Sequence, residues 1–157
     1  GKIDGLKIVF VGDPNNVALP LGIATQQLGA EFIISHPSSY QFNTYAETLI
    51  NKTGIEITCI TDPCEAVKNA DVIYTDAWFS MGQEDEQLKR YQDFSQYQVN
   101  SKLMSHANKD AIFMHCLPAH RDAEVTDEVI DSAASVVFQQ AKNRQHSTRG
   151  LLLHLLN

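Results

Sequence analysis

The clearest signal of the fold class is the segment Lys7-Ile8-Val9-Phe10-Val11-Gly12-Asp13-Pro14-Asn15-Asn16. Its first half is an apolar run typical of a buried β-strand, and its second half is a cluster of turn-forming residues. A helical stretch follows over residues 17–28, with Pro20 in its first turn. A buried strand that turns directly into a helix is the start of a β-α-β unit, and that unit predicts a parallel sheet.

Further apolar, β-branched runs repeat this pattern along the chain. Strands are predicted at residues 32–35, 56–60, 72–75, 111–115 and 136–138. Helices are predicted at 40–51, 62–69, 84–94, 100–107 and 141–156. The alternation predicts the α/β class, as a doubly wound, Rossmann-like parallel sheet in a three-layer α/β/α sandwich. Residues 1–157 are predicted to form one domain.

Composition narrows the range of functions. The chain has 157 residues, 43% of them hydrophobic, and a formal net charge of −7. A negative balance argues against binding nucleic acid and against docking on an anionic membrane. The chain has three cysteines, and their spacing is not that of a disulfide framework. This favours a reducing compartment, either the cytoplasm or, in a eukaryote, the mitochondrial matrix. No apolar run is long enough to span a bilayer.

Ligands of doubly wound sheets bind beyond the carboxyl ends of the strands. That rule selects the predicted loops 12–16, 76–82, 115–121 and 139–144. The first loop has a single glycine, which weakens a dinucleotide-binding interpretation. Asn15 and Asn16 suit a carboxylate at a helix N-terminus, or they cap the helix, or one asparagine does each.

The second loop places Asp76 just beyond a buried strand, where its carboxylate can pair with an ammonium group. The Ser80 hydroxyl and the backbone N–H groups of Met81 and its neighbour complete a set that could hold both ends of an α-amino acid. The alternative is a helix cap for Asp76 and Ser80. Trp78 and Phe79, which follow Asp76, are expected to be core anchors.

The third loop contains His-Cys-Leu-Pro-Ala-His at 115–120. These residues are too few for a structural zinc site, so no metal is predicted. Cys116 fits either a small buried side chain or a nucleophile. Pro118 is expected to leave the carbonyls of Cys116 and Leu117 free to accept from an NH₂ group.

In the fourth loop, Arg144 is expected in the first turn of a helix. A cation at that end of a helix calls for an anionic partner, unless the side chain is simply solvated.

Together these loops resemble the second, ornithine-binding domain of the ornithine carbamoyltransferases. The matching segments are GDPNNVA at 12–18, YTDAWFSMG at 74–82, YQVN at 97–100, FMHCLPAH at 113–120, EVTDEV at 124–129 and AKNR at 141–144. They cover essentially the whole chain in the family's order. Ser-Met-Gly and His-Cys-Leu-Pro in one domain form a specific pair, and the Ser-Met-Gly loop favours ornithine over aspartate, putrescine or acetylated ornithine.

The resemblance implies a role for each matching position. Asn16 and the backbone N–H of Met81 would bind the α-carboxylate of L-ornithine, and Asp76 and Ser80 would hold its α-ammonium group. Cys116 would be the catalytic residue beside the reacting δ-amine.

The carbonyls of Cys116 and Leu117 would accept from the carbamoyl NH₂ of carbamoyl phosphate, and Arg144 would contact its oxygen. The reaction would yield L-citrulline and phosphate without a metal or an organic cofactor.

The sequence also departs from the family. The phosphate-binding Ser-x-Arg-Thr motif is absent, so we expect the carbamoyl-phosphate domain to lie outside this chain and the isolated chain to be inactive. Leu19-Pro20 replaces a usual His-Ser, and Lys142 replaces a usual Glu. The family implies a homotrimer, and it implies that the leucines at 151–156 pack on the other domain. The alternatives are a nucleotide-binding oxidoreductase domain and a diverged, non-catalytic module.

Overall fold

A computed structural model describes residues 2–79 and 84–156 of the chain. The described residues contain a parallel five-stranded sheet with the order β3-β2-β1-β4-β5. The strands are β1 (Lys7–Val11), β2 (Glu31–Ser35), β3 (Thr58–Cys59), β4 (Val72–Thr75) and β5 (Ile112–His115). The chain runs outward from β1 to β3 and then returns to the other side of β1, so the strand order reverses between β1 and β4. This confirms the doubly wound, Rossmann-like prediction.

The connections between strands are helical. The α-helices are α1 (Ala18–Gln27), α2 (Thr44–Thr53), α3 (Pro63–Ala66), α4 (Gln87–Asp93), α5 (Ser101–Met104), α6 (Asp127–Ile130) and α7 (Val137–Leu156). Single 3₁₀ turns lie at Glu84–Glu86 and Ser95–Tyr97. Two predicted caps are confirmed: Asp62 accepts from the backbone of α3, and Asn100 accepts from Leu103 N at 2.9 Å.

The sheet is buried on both faces, which explains why its strands are continuously apolar rather than alternating. Successive residues point to opposite faces and enter two separate clusters. One cluster includes Val9, Val11, Ile33, Ile73 and Phe113. The other includes Ile8, Phe10, Phe32, Ile34 and Tyr74. The two layers of apolar packing hold the carboxyl ends of β1, β4 and β5 side by side.

The predicted sixth strand at 136–138 is wrong. Ser135 makes a single parallel bridge to Phe113, and α7 already begins at Val137. A strand in a parallel sheet needs burial on both sides, but Val137 is buried whereas Phe138 is 74% exposed. One-sided burial of this kind suits a helix that packs on the core by one stripe.

Beyond its first turns, α7 extends away from the body of the domain. Its leucines at 151, 152, 153, 155 and 156 are 51–81% exposed, as expected from the sequence. Within the described residues, no helix is both long enough and apolar enough to cross a membrane.

Candidate functional site

Three predicted loops meet at one edge of the sheet. Asp76 follows β4, Cys116 follows β5, and Asn15 lies in the loop after β1. Asn15 Nδ2 donates to Asp76 Oδ2 at 2.9 Å, and the Cys116 thiol donates to Asp76 Oδ1 at 2.9 Å. Because β4 lies between β1 and β5, the carboxylate of Asp76 becomes the centre of the group.

The Asp76 carboxylate has capacity for a further donor. Among the described residues, it accepts one hydrogen bond besides those from Asn15 and Cys116, from Ala77 N to Oδ1 at 2.8 Å. An ionised carboxylate offers about four acceptor positions, so the donors of residues 2–79 and 84–156 leave one position on Oδ2. The side chain is half-buried at the edge of the sheet. An ammonium group is the natural occupant of such a position.

The Cys116 thiol is a hydrogen-bond donor rather than a thiolate. Burial, followed by the hydrogen bond to Asp76, raises the pKa of the Cys116 thiol to about 12. The reactive form of a cysteine is the thiolate, so this environment does not suit a nucleophile. Of the two interpretations of Cys116, the structure favours a protonated side chain that contacts the site.

The two adjacent asparagines have different roles. Asn15 Oδ1 accepts from Val17 N at 2.9 Å and from Ala18 N at 3.2 Å, so Asn15 caps α1 as well as bonding to Asp76. The Asn16 side chain is exposed and makes no hydrogen bond within the described residues. Its amide is therefore available to a ligand.

Leu19 and Pro20 lie on the Asn16 side of α1. Together with Pro14, Asn16 and Tyr45 they line a separate cavity of about 310 Å³ between α1 and α2. The substitution at 19–20 thus alters the wall beyond Asn16, not the contact between Asp76 and Cys116.

His115 holds the loop that follows β5. It is fully buried, its Nδ1 accepts from Leu117 N at 2.9 Å, and its Nε2 lies 3.2 Å from Glu124 Oε1. Both ring nitrogens are therefore occupied. A ligand atom of His115 lies within 4.8 Å of those of Asp76 and Cys116, but these bonds leave the histidine no lone pair for a metal.

Glu124 is a site residue that the sequence analysis missed. It is buried, and besides its contact with His115 it accepts from His120 N. It thereby connects His115 to His120, the two ends of the loop at 115–120, in which Leu117 lies in the left-handed region at φ +59°. The available signal was a glutamate within an apolar stretch, between Ala123 and Val125.

Arg144 reaches the site from an unexpected position. It does not lie in a loop or in the first turn of a helix, because α7 begins at Val137 and Arg144 is about two turns further along. The prediction from the helix dipole is therefore wrong. Arg144 nevertheless lines a cavity of about 890 Å³, whose other wall is Cys116, Leu117 and Pro118.

Gln140 fastens α7 to the sheet. Its Oε1 accepts from His115 N at 3.1 Å, and its Nε2 donates to the Tyr74 hydroxyl at 2.8 Å. No sequence signal distinguished Gln140 from other helix glutamines.

Arg90 ties two of the site loops together. It is buried on α4, pairs with Asp13 at 3.3 Å, and donates from Nη1 to the Trp78 carbonyl at 2.9 Å. Its guanidinium lies 5.0 Å from the centre of the Tyr40 ring. Burial raises the pKa of Asp13, and the Arg90 charge partly offsets that rise.

The core-anchor prediction for Trp78 is confirmed, since its side chain is buried. Phe79 is half-buried and packs on His120, with ring centres 5.1 Å apart. The predicted roles of Ser80 and Met81 fall on residues 80–83, which lie outside the described residues.

Comparison with known proteins identifies the family. The model of the aspartate/ornithine carbamoyltransferase Asp/Orn binding domain matches residues 4–155. The ornithine carbamoyltransferase of Thermococcus kodakarensis is 51% identical over 156 residues, which are 97% of this chain and 50% of that protein. The Bacillus subtilis ornithine carbamoyltransferase is 47% identical over 160 residues, 99% of this chain and 50% of that protein.

A solved structure gives the same result. The Pyrococcus furiosus ornithine carbamoyltransferase superposes with a TM-score of 0.87 and 48% identity, over 97% of this chain and 50% of that one. The chain thus spans about half the length of the relatives it matches, and an oxidoreductase domain is not favoured. By its sequence, its fold and the residues assembled at the sheet edge, the chain belongs to the aspartate/ornithine carbamoyltransferase family, within the domain named for binding aspartate or ornithine.

Proposed function

We propose that this chain is the ornithine-binding half of an ornithine carbamoyltransferase, which converts carbamoyl phosphate and L-ornithine to L-citrulline and phosphate. The observation that carries the proposal is the hydrogen-bonded series Asn15–Asp76–Cys116, beside the Asn16 amide, which has no hydrogen-bond partner in the described part of the chain. It sets an acidic group and an amide at one edge of the sheet, as the two ends of an α-amino acid require. The choice of ornithine as the amino acid follows the names of the relatives.

In this proposal Asp76 binds the α-ammonium group of ornithine with the help of Ser80. Asn16 and the backbone N–H of Met81 bind the α-carboxylate. Each of these protein groups therefore faces an opposite charge or a hydrogen-bonding partner on ornithine, and together they fix the orientation of the bound amino acid.

The δ-amine then points toward Cys116. An alkylammonium group has a pKa of about 10.4, so the site must select the free amine at neutral pH. Because the thiol proton is directed at Asp76, the sulfur lone pairs remain to accept from the amine N–H. Attack of the amine on the carbonyl carbon forms the C–N bond. As the tetrahedral intermediate collapses, the C–O bond to phosphate breaks, and the proton that the amine loses leaves with the phosphate.

Carbamoyl phosphate is held from the other side of the cavity. Its NH₂ group donates to the carbonyls of Cys116 and Leu117, and Arg144 donates to its carbonyl oxygen, where negative charge develops. Holding both reactants in line provides much of the rate enhancement. No step in this scheme calls for a metal or an organic cofactor.

The remaining parts of the proposal concern the complete enzyme. Residues 1–157 form one amino-acid-binding domain, and the phosphate-binding domain corresponds to the half of the relatives that this chain does not match. The complete enzyme is a homotrimer in the cytoplasm or the mitochondrial matrix, and the chain alone is inactive. The exposed leucines at 151–156 are the surface that the other domain covers.

Titration of the ¹⁵N-labelled chain with L-ornithine tests the proposal. Saturable shifts are expected at the amides of Asn16, Asp76 and Met81. Asp76→Asn should abolish them, because the ammonium group loses its counter-charge. The matched control is Asp110→Asn, which removes the same charge from an exposed position just before β5, at the opposite edge of the sheet. Shifts confined to other surfaces, or equal binding by the Asp76 variant, would contradict the proposal.

A further inference from the structure

The hydroxyl of Tyr74 is a polar neighbour of the Cys116 thiol. In the register of β4 and β5, Tyr74 pairs with Met114, so Tyr74 and Cys116 lie on the same face of the sheet. Cys116 also packs against the same cluster of apolar side chains that contains Tyr74. The tyrosine is buried and its ring stacks on Phe10, with ring centres 5.6 Å apart. This packing holds the hydroxyl beside the thiol.

Gln140 decides the direction in which the Tyr74 hydroxyl points its proton. The backbone N–H of His115 can only donate, so Gln140 turns its Oε1 toward that N–H, at 3.1 Å. Its Nε2 therefore faces the Tyr74 oxygen, at 2.8 Å. The tyrosine oxygen accepts this hydrogen bond, and its own proton is available to another acceptor. The sulfur of Cys116 is such an acceptor, although a weak one.

The electrostatics of the thiol agree with this direction. Burial, followed by the hydrogen bond to Asp76, raises the pKa of the Cys116 thiol, whereas hydrogen bonding with Tyr74 lowers it. A hydrogen bond lowers the pKa of a thiol when it is donated to the sulfur, because it then stabilises the thiolate. Tyr74 is therefore the donor to the sulfur, while the thiol proton is directed at Asp76 Oδ1, at 2.9 Å.

We propose that Tyr74 is a positioning residue of the site: its hydroxyl, oriented by Gln140, donates to the Cys116 sulfur and fixes the direction of the remaining sulfur lone pair. The hydrogen bonds then run in one direction, from the amide of Gln140 to the carboxylate of Asp76. A thiol held at both its proton and its sulfur is fixed in orientation, whereas a thiol held by Asp76 alone can still rotate.

The same glutamine connects this series to the last helix. Gln140 lies one helical turn before Arg144, so its contacts with Tyr74 and with the backbone of His115 also fix Arg144 relative to Cys116. That the remaining lone pair receives the δ-amine of ornithine rests on the proposed function. The contact between the tyrosine and the thiol does not.

Alkylation of Cys116 by iodoacetamide in the 157-residue chain, followed by peptide mass spectrometry, tests the proposal. Tyr74→Phe keeps the ring and removes only the donor to the sulfur, so the thiol pKa should rise. We expect the reaction at pH 8 to slow about twofold to fourfold. This is the loss of one hydrogen bond, reduced because a more basic thiolate is also more nucleophilic. A merely structural role would loosen the site and speed the reaction instead.

Tyr97→Phe is the matched control. Tyr97 is 7% exposed and Tyr74 is 6% exposed, but Tyr97 belongs to the other core cluster, where its hydroxyl donates to the Thr61 carbonyl at 2.7 Å. Its substitution removes the same group at equal burial and should leave the alkylation rate of Cys116 unchanged. Far-UV circular dichroism of each variant confirms that the fold is intact.

Gln140→Glu tests the direction of the hydrogen bonds. The carboxylate still accepts from the backbone N–H of His115, but it has no donor for the Tyr74 oxygen and accepts the tyrosine proton instead. That proton is then withdrawn from the sulfur. Gln140→Glu should therefore slow alkylation more in the wild-type chain than in the Tyr74→Phe background.

Three results would overturn the proposal. They are an unchanged or faster reaction in Tyr74→Phe, an equal slowing in Tyr97→Phe, and an effect of Gln140→Glu that is the same in both backgrounds. A parallel titration of the wild-type chain with L-ornithine separates the two proposals. Failure of ornithine to bind contradicts the proposed function, whereas the effect of Tyr74→Phe on the thiol stands without it.

Discussion

Replacing Arg90 with methionine removes the connection between two loops of the site. Arg90 joins Asp13, in the loop that carries Asn15 and Asn16, to the Trp78 carbonyl, two residues beyond Asp76. Methionine fills much of the same space but donates no hydrogen bond. The substitution therefore leaves a carboxylate and a carbonyl without their partner in a largely buried position.

The expected loss of stability follows from the burial of the pair. Removing one partner of a buried ion pair costs about 3–5 kcal/mol. The Asp13 side chain is 14% exposed, so water partly replaces the guanidinium, and we expect the lower end, about 3 kcal/mol. The unpaired Trp78 carbonyl adds about 1 kcal/mol. For a domain of this size the sum, about 4 kcal/mol, lowers Tm by roughly 8–16 °C.

The loss should depend on pH with a defined sign. Burial already holds the folded-state pKa of Asp13 above its ordinary value of 3.8, and removing Arg90 raises that pKa further. A carboxyl whose pKa is raised by folding destabilises the folded state increasingly as pH rises from that ordinary value. The difference in Tm between wild type and Arg90→Met should therefore be small near pH 4 and largest at pH 7. His36 and Asp76, the other titratable groups that act on Asp13, are the same in both proteins.

Thermal unfolding of wild type, Arg90→Met, Asp13→Asn and the double variant completes the test. The double variant should be more stable than Arg90→Met alone, because it no longer buries an unpaired carboxylate. Weaker ornithine binding by Arg90→Met is expected as well, since Asn16 loses its fixed position. Additive effects of the two substitutions, or an equal loss of stability at pH 4 and pH 7, would show that Arg90 does not stabilise the domain by pairing with the Asp13 carboxylate.

Three further outcomes are expected. In urea unfolding, Asn15→Ala should cost about 1–2 kcal/mol through loss of the helix cap and of the bond to Asp76, whereas Asn16→Ala should stay within about 0.5 kcal/mol of wild type; equal effects would contradict the assignment of the cap. Iodoacetamide at pH 8 should alkylate Cys116 far more slowly in the folded than in the unfolded chain, as measured by peptide mass spectrometry, and Asp76→Asn should speed the reaction by lowering the thiol pKa; a fast reaction in the folded wild type would show that the thiol is not held protonated. Glu124→Gln should lower the free energy of unfolding by about 1–3 kcal/mol, because the glutamine amide has one oxygen acceptor in place of two and its NH₂ group cannot accept from the N–H of buried His115. An unchanged denaturation midpoint would count against this.

Much of the fold could be predicted from local signals. Apolar runs such as Lys7–Val11 and Val72–Thr75 are strands because both faces of a parallel sheet are buried. Asp62 and Asn100 predict the starts of two helices, because an N-cap bonds only to residues two or three positions further along the chain. The strand prediction at 136–138 was wrong because a short β-branched segment has too few residues to show whether its apolar residues repeat with the period of a strand or of a helix. The packing of this segment against β5 shows that it is buried on one side and exposed on the other.

The order of residue types along the chain is enough to show which chemical groups follow each strand: an amide pair after β1, a carboxylate after β4, and a thiol with two carbonyls after β5. The role of each of these groups, by contrast, follows from the contacts made in the folded chain. In the folded chain Asn15 caps α1, whereas Asn16 makes no hydrogen bond to any described residue. The Cys116 thiol donates to Asp76, and Arg144 lines the cavity from the middle of α7. The reason is that residue types are written locally, whereas hydrogen-bond partners, burial and the pKa of a thiol depend on segments that are far apart in the chain.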